Sequence, residues 1–157
     1  MSVDAERIDT WEHLLEEDLS SLGQANWTIR CFKNIDSTMA EARNYLTQIC
    51  PDRPALILAA RQKRGRGRQG KCWVSPAEGF FGTFAFSCKG SFDPAGLTLA
   101  FSTAVREALL EFGCETAYKW PNDIFSPDGR KLCGILVESL PVEDGRVVLC
   151  GIGLNIA

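Results

Sequence analysis

The sequence is poor in the residues that build metal centres. It has one histidine, His13, and no Cys-x-x-Cys pair among its seven cysteines, so the usual ligand sets of a structural or catalytic zinc are missing. No apolar run approaches the roughly 18 residues that a membrane span needs, and residues 1–9 carry acidic groups in place of an apolar signal core. These absences disfavour a membrane partner and a secreted protein and make the cytoplasm the expected location. Cys31, Cys50, Cys72, Cys88, Cys114, Cys133 and Cys150 are odd in number, widely spread and mostly set in apolar segments, which suits reduced thiols better than a disulfide framework. Internal repeats are absent, and so is the Gly-Lys-Ser/Thr ending of a Walker phosphate loop.

Charge is present but unevenly placed. The net charge is -3, yet Arg61, Lys63, Arg64, Arg66, Arg68 and Lys71 crowd into the segment 61–71, leaving the remainder acidic. A local basic cluster on an acidic protein points to a focused anion site and away from a nucleic-acid-binding face. With 157 residues and 45% hydrophobic content, the chain can bury one core, so residues 1–157 are expected to form a single catalytic domain, with 1–26 as an N-terminal helix and linker.

The pattern of apolar residues predicts an α+β fold in which helices cover a mixed, largely antiparallel sheet. Asp9 is placed to cap a short helix carrying Trp11, Leu14, Leu15, Leu19 and Leu22 and ending at Gly23. Trp27 to Phe32 reads as a strand, Thr38 to Ile49 as an amphipathic helix begun by Asp36 or Ser37, and Ala55 to Ala60 as a buried strand. Gly65 to Ser75 is too rich in glycine and charge for a regular element, whereas Phe80 to Ser87 is aromatic and β-prone. Asp93 to Phe112 carries a broad apolar helical stripe. Glu115 to Trp120, Ile124 to Phe125, Lys131 to Ser139 and Arg146 to Ile152 alternate with turn signals, including Glu143-Asp144-Gly145, and predict a run of hairpins.

Four segments carry residues suited to chemistry. Gly65-Arg66-Gly67-Arg68-Gln69-Gly70-Lys71-Cys72-Trp73 alternates bare backbone with guanidinium forks, a combination that can clamp a carboxylate or phosphate; an irregular basic loop touching RNA is the plainer alternative. Lys119-Trp120-Pro121-Asn122-Asp123 turns the chain between two strands and brings Lys119 and Asp123 to the same strand end, and a polar hairpin would explain it equally. Lys131 opens an apolar strand that contains Gly134, where a ligand can approach closely, although a lysine at a hairpin base is commonly just exposed. Gly151-Ile152-Gly153-Leu154-Asn155 can lay backbone beside a nucleotide or can be a twisted terminal strand. Ser37 and Thr38, at a helix start, have capping as their default role.

Taken in order, Asp36-Ser37-Thr38, Gln62 with Gly65-Arg66-Gly67-Arg68, Trp73, Lys119 to Asp123, Lys131-Leu132-x-Gly134-Ile135-Leu136-Val137-Glu138 and Gly151 to Asn155 resemble the biotin protein ligases over about residues 30–156. The resemblance implies a biotin/lipoate ligase-like catalytic fold of the class II aminoacyl-tRNA synthetase type. It also implies activation of biotin by ATP with Mg2+, followed by transfer to a lysine of a biotin carboxyl carrier protein such as an acetyl-CoA carboxylase subunit. Carried over by position, Ser37, Thr38, Gln62, Gly65, Arg66, Arg68, Lys131 and Gly134 would bind biotin, and Arg68, Trp73, Lys119, Asn122, Asp123 and Asn155 the nucleotide. Lys131, Arg66 and Arg68 would be catalytic, because negative charge grows on phosphate oxygens as pyrophosphate leaves. No metal ligand is identified by the resemblance.

Two departures stand out, Lys71 where family members often have arginine and Met39 where they often have asparagine. Lys71 keeps the charge but loses the bidentate fork, which predicts weaker retention of the adenylate. The N-terminal stretch is too short for the DNA-binding module of some ligases, so no operator binding is expected. The chain also stops at Ala157, before the small C-terminal domain of the family, which leaves a compact ligase, a fragment or a non-catalytic biotin-binding relative as alternatives. A lipoate or octanoate ligase of the same superfamily is a further one. Family members often pair through sheet edges, and a homodimer stays open.

Overall fold

The computed structural model describes residues 7–21, 23, 26–49, 53–76, 78–89, 93–142 and 145–156. In chain order these form helix α1 (Asp9–Ser21), strand β1 (Thr28–Ile35), helix α2 (Thr38–Ile49), strands β2 (Ala55–Gln62), β3 (Gly65–Arg66), β4 (Cys72–Trp73) and β5 (Gly79–Cys88), helix α3 (Pro94–Glu111), and strands β6 (Ala117–Lys119), β7 (Asp123–Phe125), β8 (Lys131–Val142) and β9 (Gly145–Asn155). Seven strands make one sheet in the order β1-β2-β5-β9-β8-β7-β6, and β3 and β4 form a separate ribbon. Only β1 and β2 run parallel, joined by the α2 crossover; the other pairs are antiparallel. The fold is therefore the mixed, largely antiparallel α+β sheet that the sequence pattern implies.

Helices cover the two faces unequally. Along α2, Met39, Ala42 and Leu46 fall on one stripe and bury against Phe32, Ile57, Ala59, Ala85, Val147 and Leu149. On the opposite face, Phe101, Val105 and Leu109 of α3 pack over Ile124, Cys133, Ile135, Cys150 and Ile152. The alternation along β5 splits its aromatic run between the two: Phe84 and Phe86 meet Phe101 of α3, while Ala85 belongs to the α2 cluster. Asp93 caps α3 by accepting from the backbone N–H groups of Ala95 and Gly96 at 3.0 and 2.9 Å, with Pro94 in the first turn.

The structure corrects several expectations. The carbonyl of Ile8 accepts from the N–H groups of Trp11 and Glu12, so Asp9 lies inside α1 and does not cap it. Trp11 and Leu14 are exposed, and the packed stripe is Ile8, Leu15 and Leu19 against Ile29, Cys31 and Leu56. Glu12 explains the rotation. Its carboxylate accepts from the N–H of Cys31 at 2.8 Å and pairs with Arg7, covering the outer edge of β1 with a charged pair instead of leaving it open. Strand β1 continues past Phe32 because Asn34 and Ile35 still pair with Arg61 and Gln62. Strands β8 and β9 likewise outrun Ser139 and Ile152, whereas the strand expected over Glu115–Trp120 shortens to β6. The segment 65–75 is not irregular: β3 and β4 pair around a 3-10 turn that Gln69, at φ 56°, and Gly70, at φ +74°, make possible. Leu22, Cys50, Glu143 and Asp144 lie outside the described residues.

Burial decides the state of the core thiols. Cys31, Cys133 and Cys150 are all fully buried, and desolvation pushes the first up to about 11 and the second up to about 12 from an ordinary 9.0, and raises the third as well. Because the folded value lies above the unfolded one, this contribution to stability is intact below pH 9 and is lost as pH rises through 11 to 12. At pH 8, a maleimide should label the exposed Cys72 quickly and spare these three until denaturant is added; peptide mapping of native-state labelling at Cys133 or Cys150 would contradict this packing.

Candidate functional site

The α2-facing side of the sheet changes character along its length. On β9 it presents Val147 and Leu149 to α2, and then Gly151 and Gly153; on β8 the neighbouring positions are Leu136 opposite Gly151 and Gly134 opposite Gly153. Side chains thus fill one end of this face and are missing at the other. There a cavity of about 350 Å³ opens, within the usual range for a small-molecule site. The N-terminus of α2, the end of β2, the β3–β4 ribbon and the β6–β7 turn close around it.

The inner end of the cavity is polar and uncharged. Thr38 and Thr83 are buried, and Thr83 Oγ1 donates to Thr38 Oγ1 at 2.8 Å. Thr38 Oγ1 donates in turn to Gln62 Oε1 at 3.1 Å, and the same oxygen accepts from the backbone N–H of Thr38 at 2.9 Å. Gln62, from β2, therefore caps α2, the role that Ser37 or Asp36 was expected to fill. Ser37 is only 3% exposed, and its Oγ has no hydrogen-bond partner among the described residues. A buried hydroxyl left unpaired is costly unless a ligand completes it.

The floor is bare backbone with an indole laid across it. A Cβ on Gly153 would fall 2.5 Å from Trp73 Cε2, and one on Gly134 would fall 2.7 Å from Trp73 Cζ3. Glycine at both positions is what lets the ring lie flat on β8 and β9. Trp73 Nε1 is buried without a hydrogen-bond partner among the described residues, and Lys131 Nζ sits 5.2 Å from the ring centroid, within cation–π range. Met39 of α2 closes the floor beside Gly151, its Sδ 2.9 Å from where a Cβ would stand.

Cations gather at the mouth. Arg66 and Arg68 reach in from the ribbon and Lys131 from the start of β8. Lys131 Nζ pairs with Asp123 Oδ1 at 2.8 Å, the same oxygen accepts from Asn122 Nδ2 at 2.9 Å, and Arg68 Nη1 donates to Asn122 Oδ1 at 2.9 Å. Arg66 faces Glu138 at 3.9 Å, and that carboxylate also pairs with Arg43 of α2. Neutral donors and acceptors inside, a flat middle and convergent cations outside suit an organic acid with a polar, uncharged head.

Of the residues singled out in the sequence, Ser37, Thr38, Gln62, Arg66, Arg68, Trp73, Asn122, Asp123, Lys131 and Gly134 line this cavity. Three do not. Gly65 is buried within the ribbon, paired with Trp73, where a Cβ would come within 2.5 Å of the Trp73 carbonyl oxygen. Lys119 turns away, its Nζ 4.6 Å from the Phe125 ring centroid. Asn155 stands behind Lys131, donating from Nδ2 to its backbone carbonyl at 3.0 Å. Met39 and Leu136 were not picked out as site residues yet line the cavity, and so do Gly151 and Gly153 of the Gly-x-Gly segment.

Comparison with known proteins gives a consistent picture. The sequence profile of the biotin/lipoate A/B protein ligase family matches residues 31–155. A biotin--[acetyl-CoA-carboxylase] ligase of Paracoccus denitrificans is 39% identical over 127 residues, covering 78% of this chain and 52% of that protein. Among solved structures, a biotin acetyl coenzyme A carboxylase synthetase of Helicobacter pylori with bound biotinylated ATP superposes with a TM-score of 0.71 at 27% identity, over 82% of this chain and 61% of that one. A biotin protein ligase of Aquifex aeolicus in complex with biotin and ATP gives 0.67 at 30% identity, over 81% and 51%. The chain spans about half the length of these relatives.

The glycine floor makes a direct prediction. Gly153→Ala should cost about 1–3 kcal/mol through overpacking, a fall in Tm of roughly 2–12 °C, and Trp73→Ala should remove most of that penalty in the double variant. Penalties that add in full would mean that the indole does not rest on Gly153.

Proposed function

Because the chain belongs to the biotin/lipoate A/B protein ligase family, we propose that it activates biotin with ATP and passes the biotinyl group to a lysine of a biotin carboxyl carrier protein. The observation that carries this reading is the three-part cavity, in which the neutral partners Ser37, Thr38 and Gln62, a floor of glycine backbone bordered by the Trp73 ring and Met39, and Arg66, Arg68 and Lys131 follow one another from the buried end to the mouth. Biotin has the matching sequence of parts: a ureido head that both donates and accepts hydrogen bonds, an apolar ring and chain, and a carboxylate. The dithiolane of lipoate offers nothing comparable to the Ser37 hydroxyl and would leave it unpaired, at about 1–3 kcal/mol.

In the first step a biotin carboxylate oxygen bonds to the α-phosphorus of ATP while the bond to the pyrophosphate oxygen breaks. Arg66, Arg68 and Lys131 hold the two anions together against their mutual repulsion and meet the charge that builds on the phosphate oxygens. In the second, the carrier amine bonds to the biotinyl carbonyl carbon, AMP leaves and the amine loses a proton. Trp73 provides a flat face for the nucleotide side, and Asn122 and Asp123 border it. Asn155 acts from outside the cavity by fixing the Lys131 backbone.

Mg2+ fits this donor set in its usual manner, held mostly by phosphates with one carboxylate. Among the described residues, Asp123 is the one carboxylate lining the cavity, and no group of three His, Cys, Asp or Glu residues is suited to a metal ion. Asp123 would hold the ion, which would neutralise phosphate charge. The need for ATP supports a cytoplasmic location, and among the described residues no helix is long and apolar enough to cross a membrane.

Pyrophosphate release that needs both biotin and ATP is the test. Lys131→Ala should lower its rate about 10²- to 10³-fold, the loss typical of a transition-state donor, and Ser37→Ala should weaken biotin binding about tenfold. Release supported equally by lipoate, or unaffected by Lys131→Ala, would refute the proposal.

A further inference from the structure

Asn122 has both ends of its amide committed inside the protein. Its Oδ1 accepts from Arg68 Nη1 on the ribbon at 2.9 Å, and its Nδ2 donates to Asp123 Oδ1 at 2.9 Å. That carboxylate oxygen holds Lys131 Nζ at 2.8 Å. Four side chains from three separate segments are thus joined in one line, from an exposed loop arginine to a half-buried lysine. An amide can serve at such a junction because it accepts at one end and donates at the other, whereas an ionised carboxylate could only accept. The main chain of Asn122 is held independently, since its carbonyl accepts from the N–H of Ile135 at 2.9 Å, so the side chain is available for this task.

We propose that Asn122 is a positioning residue which latches the β3–β4 ribbon over the cavity and makes the setting of Lys131 depend on that latch. The functional part of this inference rests on the biotin-activating reading given above; the latch itself does not. With Arg68 on Oδ1, the amide is fixed in the orientation that turns Nδ2 toward Asp123, and Asp123 in turn holds Lys131 at the mouth. When the ribbon lifts, Arg68 leaves, the amide is free to turn, and Asp123 loses the donor that fixes its oxygen. Lys131 is then correctly set only while the arginines are in place, so the activating groups assemble as a unit.

Two substitutions separate the halves of the junction. Asn122→Ala removes both contacts. Asn122→Asp keeps an acceptor for Arg68 but replaces the donor facing Asp123 with a like charge. The latch is read without substrate, from the rate at which trypsin cuts the ribbon at Arg66 and Lys71. Asn122→Ala and Arg68→Ala should each speed this cutting by about threefold or more, and Asn122→Asp should leave it near the wild-type rate, as expected for one charge-assisted hydrogen bond. Biotin-dependent pyrophosphate release gives the second reading. Asn122→Ala and Asn122→Asp should both lower kcat by about tenfold, whereas Arg68→Ala should cost less in the Asn122→Ala background than in the wild type, by about threefold or more.

A purely structural turn residue would lower Tm in both variants and couple to neither Arg68 nor the ribbon. Wild-type cutting in Asn122→Ala, or full additivity of the Arg68 and Asn122 losses, would overturn the inference. If the wild-type chain released no pyrophosphate with biotin, the functional reading would fail, and the cutting rates would still decide whether the latch exists.

Discussion

Everything in the site depends on a gap in one face of the sheet. Over most of that face, α2 and the strands exchange methyl groups and ring edges, and burial of Met39, Ala42, Leu46, Ile57, Val147 and Leu149 holds the layers together. At Gly134, Gly151 and Gly153 the strands continue without side chains. The hydrogen-bonded ladder of β8 and β9 carries the backbone unbroken across this gap, with Trp73 and Met39 laid against it on one side and the α3 layer packed on the other, so the floor stays rigid. A rigid floor of glycine backbone and flat ring suits a ligand that must be held at a fixed distance from charged groups.

The walls follow from the connectivity. The parallel β1–α2–β2 unit brings the helix start, with Ser37 and Thr38, beside the end of β2, with Gln62, so the polar end of the cavity is assembled from one crossover. The ribbon leaves β2 directly after Gln62 and returns Trp73 over the floor, which places Arg66 and Arg68 at the mouth. The β6–β7 turn and the start of β8 bring Asn122, Asp123 and Lys131 to the same opening from the other side. Charge is kept at the exposed end, where water helps to solvate it, and neutral hydrogen-bonding groups at the buried end, where an unpaired ion would be far more costly.

Much of this was legible in the sequence, for reasons that differ by element. Helices α2 and α3 declare themselves through apolar residues at helical spacing, and Asp93 declares its cap. The ribbon does not: its pairing rests on two-residue strands and on Gln69 in a left-handed conformation, which composition does not reveal. Helix α1 was misread because a buried Glu12 takes the inward position, and a charged residue facing the core breaks the pattern from which helix faces are inferred. At the site, charged and hydroxyl residues could be chosen by type, whereas Met39 and Leu136 look like core residues until the strands set them beside a gap. Lys119 shows the reverse: its place in the motif suggested the nucleotide, and it pairs with Asp123 across the strands, but its ammonium lies over the Phe125 ring.

The claim that the glycine floor and its indole receive biotin can be tested at the floor itself. In a protein labelled with ¹⁵N at glycine and titrated with biotin alone, the amide resonances of Gly134, Gly151 and Gly153 should move in a saturable way, while those of Gly23, Gly113 and Gly129, in distant turns, stay still. Saturable binding that leaves the three floor glycines unmoved, or an equal response to lipoate, would contradict the account.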